Sequence, residues 1–84
     1  MTRPPSFWRR YAVAAYRRAS EFDELAEELA RNGATEPAQL CREDADRCRD
    51  LARRALALEA RKIAEGDPGD TFDLRDLRDL METP

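Results

Sequence analysis

The sequence predicts an all-α protein: an antiparallel helical hairpin with a short C-terminal third helix, assembling as a helical-bundle dimer. Three observations lead there. Apolar residues recur at helical spacing in two long runs, Asn32-Gly33 separates the runs, and Gly66-Asp67-Pro68-Gly69 follows the second. At 84 residues the chain has the length of one domain, 1–84.

The first helix is expected over 6–32. Ser6 can cap it, because a serine oxygen accepts from an orphan N–H of the first turn. Phe7, Trp8, Tyr11, Ala15, Phe22, Leu25, Ala26 and Leu29 fall within one stripe at about 100° per residue. On this reading Phe22 and Leu25 are core. Ala12, Ala19, Ala26 and Ala30 flank the stripe and widen the apolar face beyond what one neighbour covers. Asn32 and Gly33 tolerate the left-handed backbone of a helix end.

The second helix is expected over 36–65, with Thr35 as its cap and Pro37 allowed in the first turn. Its stripe is Cys41, Ala45, Cys48, Ala52 and Ala55, and Gly66 with Pro68 ends it. So short a joint makes the helices antiparallel neighbours. Aromatics of the first helix are then expected to face mostly Ala and Cys of the second.

The third element is an acidic amphipathic tail over 70–82, where Asp-Leu-Arg repeats. Leu74, Leu77 and Met81 lie on one helical face, with Leu80 at its edge; Asp73, Asp76 and Asp79 form the acidic row. These seven residues are the expected protein-binding set.

The core is thin. Leu, Ile, Val and Phe together number only 14, and alanine alone supplies another 14. A small chain with few large side chains buries little surface by itself, so self-association is expected.

Charge is unevenly placed. Residues 1–20 hold five arginines and no acid, whereas residues 21–30 hold five acids and no base. This opposes the helix macrodipole, which prefers acids at the N-terminus. In the folded hairpin Arg3, Arg9, Arg10, Arg17, Arg18, Arg53, Arg54, Arg61 and Lys62 gather at the end remote from the turn. An anion is expected there, either the tail itself, whose residues 65–84 carry a net −5, or nucleic acid.

Glu59 falls in the middle of the second helix's apolar stripe, opposite Trp8. Either it is buried against the Trp8 N–H, the Tyr11 hydroxyl or Arg9, or a slight drift of the helix leaves it at the rim. The rim reading is preferred, because a buried carboxylate needs partners.

Histidine is absent, no glycine-rich phosphate loop occurs, and Ser6 and Ser20 have no base nearby in sequence. The chain therefore reads as non-enzymatic, without cofactor or metal. Cys41 and Cys48 lie seven apart, about 10.5 Å along a helix, too far to bridge. They read as small core residues of a reducing, cytoplasmic compartment. No signal peptide or membrane span is expected.

The function expected is that of a small helical adaptor, regulator or inhibitor. It would act through helix faces and the tail, with itself and another protein as partners and no membrane. The alternative is a nucleic-acid-binding regulator using the basic end, with Trp8, Tyr11 and Tyr16 interleaved among arginines and Tyr16 free to stack on a base.

Overall fold

The computed structural model describes residues 6–66, Arg78 and Leu80. It is an antiparallel two-helix hairpin: α1 spans Phe7–Arg31 and α2 spans Thr35–Ala64. Each boundary lies one residue from the sequence expectation.

Ser6 caps α1 as expected, its Oγ accepting from the Arg9 N–H at 3.1 Å. The far end closes in a Schellman turn. The Ala34 N–H donates to the Leu29 carbonyl at 2.9 Å and the Gly33 N–H to the Ala30 carbonyl at 3.1 Å. Gly33 supplies the left-handed residue at φ 81°. No atom lies within 4 Å of where its Cβ would be, so glycine is required here by backbone conformation alone.

This turn corrects the expected start of α2. The Ala34 amide is already tied to Leu29, so the helix begins directly at Thr35. Ala34 occupies the cap position and no side chain caps it. Pro37 sits in the first turn, where its missing N–H costs no helical bond.

The seam between the helices differs from the one expected. Buried along α1 are Trp8, Ala12, Ala19 and Ala26; along α2 they are Ala38, Ala45, Ala52, Ala55, Leu58, Glu59 and Lys62. Positions 12, 19 and 26 face inward from one helix, and 38, 45, 52 and 59 from the other. This sustained seven-residue step is that of supercoiled helix pairs. Alanine meets alanine, and small side chains let the two backbones come close.

The residues read as core are displaced accordingly. Leu25 is 44% exposed, Phe22 is half-buried, and Phe7 and Tyr16 are exposed. The physical reason is the rotation of α1 about its axis: Ala12, Ala19 and Ala26 lie within about 40° of one another, whereas Leu25 lies about 100° from Ala26 and so faces away from the seam. Of the alanines read as flanking, Ala12, Ala19 and Ala26 form the seam, while Ala30 is exposed. Among the described aromatics Trp8 alone is fully buried, at 1% exposure, with Phe7 and Tyr11 edge-on to its ring at 5.1 and 6.4 Å between centroids. Cys41 and Cys48 are free and half-buried.

Candidate functional site

The open end of the hairpin, where α1 begins and α2 finishes, holds a buried carboxylate with partners from the other helix. Glu59 stands at the next seven-residue step of the α2 seam after Ala52 and is 6% exposed. The rim reading is therefore overturned, and of the partners proposed for a buried carboxylate Arg9 is realised. Its Nη2 and Nε both donate to Glu59 Oε1, at 3.0 and 3.3 Å. The other oxygen, Oε2, accepts from Ser6 Oγ. Ser6 thus accepts from the helix backbone while donating to a carboxylate 53 residues away. Sequence reasoning gave it only the first task.

The Arg9 and Ser6 hydrogen bonds hold the Glu59 carboxyl below its ordinary range, outweighing the desolvation that would raise it. Arg9 is pushed upward by the same contact, first by the hydrogen bond and then by the charge of Glu59.

The basic residues among those described line several separate surfaces, and Arg3 lies outside the described residues. Arg9 is committed to Glu59. Arg10 and Arg17 lie on the outer face of α1, where with Arg9, Val13 and Ala14 they line a shallow depression of about 240 Å³. Arg18 lines the interhelical groove beside Tyr11, Cys48 and Leu51. Arg53 and Arg54 both reach Asp50, at 3.7 and 2.8 Å. Arg61 rims a recess with Arg54, Ala57, Leu58 and Leu80. Lys62, expected on the cationic surface, is buried, because the seam steps from Ala55 to it in seven residues. Helical rotation of about 100° per residue distributes charges that look contiguous in the sequence onto separate faces.

Of the tail residues, Leu80 lies among those described, and it is 2% exposed. It joins the core cluster with Trp8, Ala12, Ala52, Ala55 and Leu58, and its carbonyl accepts from Arg54 Nη1 at 3.2 Å. Both Leu80 and Arg78 have helical backbone. Leu74, Leu77, Met81, Asp73, Asp76 and Asp79, and the bounds of the expected third helix, lie outside the described residues. One pair that sequence reasoning missed ties the helices near their middle: Arg49 donates to Asp23, and to Asp46 one turn earlier on its own helix at 3.1 Å. Their placement on facing edges follows only once the seven-residue register is known.

Among the described residues no group of three or more Cys, Asp or Glu is placed to hold a metal ion. No helix of these residues is long and apolar enough to cross a membrane. Together these features define a small helical hairpin with polar clasps between its helices. Comparison with family models, with curated proteins and with solved structures finds no match.

Proposed function

We propose that this is a small, non-enzymatic helical interaction protein, an adaptor, regulator or inhibitor that acts through its helix faces and acidic C-terminal segment and self-associates as a dimer. One observation carries the reading: the described core is built mostly of alanine, while several large apolar residues lie outside it. Among the described residues seven of the ten buried hydrophobics are alanine, while Val13, Leu25, Leu40 and Ile63 stay exposed. Large aliphatic groups left in water on a helical pair favour covering by another helix. A third helix over 70–82 would contribute part of that cover, and a second copy the rest.

Sedimentation at tens of micromolar tests this. The wild-type chain should show a dimer mass. Leu25→Asp combined with Leu40→Asp should yield a monomer of unchanged helicity, since both positions are already exposed. A wild-type monomer across that range would sink the self-association.

A second reading, nucleic-acid binding, is favoured by the depression between Arg10 and Arg17 and by the exposed ring of Tyr16 on the same helix. Fluorescence anisotropy with single- and double-stranded oligonucleotides at low salt decides it. Binding that weakens steeply with salt supports this reading, and none at all removes it.

A further inference from the structure

We propose that the recess holding Leu80 is an exchangeable docking site for an acidic amphipathic helix ending on a leucine, and that the chain's own C-terminal segment is its resident occupant. The inference rests on the interaction reading above and adds the chemistry of the partner.

The floor of the recess is apolar. Trp8, Ala12, Ala55 and Leu58 gather around Leu80 and leave it 2% exposed. Three of these four are the small or aliphatic groups that accept a branched aliphatic side chain. The fourth, Trp8, is the only tryptophan of the chain.

The recess also reads backbone. In a helix the Leu80 carbonyl would accept from the N–H four residues later, but that residue is Pro84, which has none. Arg54 supplies the missing donor at 3.2 Å. A guanidinium aimed at such an oxygen suits the C-terminal end of a helix, where carbonyls lack partners and the dipole is negative. The site therefore selects a leucine whose carbonyl is left open.

Charge gives the third element of selection. Arg54 and Arg61 flank the recess, whose open part is about 290 Å³, and residues 65–84 carry a net charge of −5. An incoming helix with acids beside its leucine would complement this rim. The resident is joined to the hairpin through residues 67–79, which include Pro68 and Gly69. Tethering gives it an effective concentration in the millimolar range at most, so a free helix of the same chemistry competes with it on equal contacts.

The experiment uses the full-length chain, with Trp8 emission as reporter and a synthetic peptide of residues 70–84 as probe. Leu80→Glu should empty the recess and shift Trp8 emission to the red. Added peptide should restore the blue emission saturably, and the same peptide carrying Leu80→Glu should not. The wild-type chain should bind the peptide at least about tenfold more weakly, because its own segment competes. Should Leu80→Glu lose helicity, Leu80→Ala takes its place with the same expected order of affinities. Equal binding to wild type and variant, or no restoration by the peptide, overturns the proposal. So does a wild-type dimer that Leu80→Glu converts to monomer, since the occupant would then be a second copy's segment. A wild-type monomer sinks only the self-association reading and leaves the peptide titration decisive.

Discussion

Toward the turn the seam is closed by Ala19, Ala26, Ala38 and Ala45, whereas at the open end Trp8, Leu58, Leu80 and a clasped carboxylate fill it. At the turn the Schellman hydrogen bonds and the short covalent joint hold the helices together, so side chains need only let the backbones meet. At the open end nothing covalent opposes separation. There the cohesion comes from one large ring, two leucines and a carboxylate bound by Ser6 and Arg9. Tight packing and large burial are thus alternative solutions, used at opposite ends of one seam.

The comparison is broken most severely by Trp8→Ala, which removes the one large side chain among the described residues that is buried to below 2% exposure. Thermal or urea unfolding should show a loss of about 3–5 kcal/mol. An effect below about 1 kcal/mol would mean that the open end does not depend on burial.

At the turn end the opposite change is the damaging one. Ala45→Leu forces extra methylenes into a seam where alanine meets alanine, and should cost about 1–3 kcal/mol. An unchanged or raised melting temperature would show that the helices have room between them there.

The clasp should respond to acid. Glu59 titrates below the ordinary 4.5 of a glutamate carboxyl because the folded protein prefers its charged form. Its stabilising contribution is therefore complete above that value and is lost as pH falls through the lower folded one. The wild type should lose stability below about pH 4.5, and Glu59→Gln should flatten that limb of the curve. Ser6→Ala should weaken the clasp and also cost about 0.5–2 kcal/mol at neutral pH as a lost helix cap. Parallel acid limbs in wild type and Glu59→Gln would refute the clasp.

The smallest effect is expected at Leu25→Ala. The side chain is 44% exposed, so in the monomer the loss should stay within about 0.5 kcal/mol. A loss of 2 kcal/mol or more, of the order ~2–5 expected for a core leucine, would restore the sequence reading of α1.

Much of this architecture was legible from local signals. Ser6 as a cap, Gly33 as the left-handed stop and Gly66 as the end of α2 are each fixed by what one residue's backbone or side chain can do. The core was harder to read. Leu25 outranks Ala26 on any hydrophobic scale, yet Ala26 is buried, because an interface between close helices selects by size and register. The clasp was half legible: Glu59 stood out as a carboxylate on an apolar stripe, and Arg9 was among its possible partners. Ser6 carried no comparable signal, since a serine at a helix start is already explained by capping.

The sequence by itself determined two helices, their ends to within one residue and their antiparallel order, because these follow from periodicity, stop signals and a short joint. Tertiary structure alone decided which rotation each helix took about its axis. That rotation turned alanines inward, drew Glu59 and Lys62 into the seam, separated the arginines onto different faces and brought Leu80 against Trp8 and Leu58. The physical reason is that a helix offers several faces of similar hydrophobicity, and only the shape and charge of the opposing helix select among them.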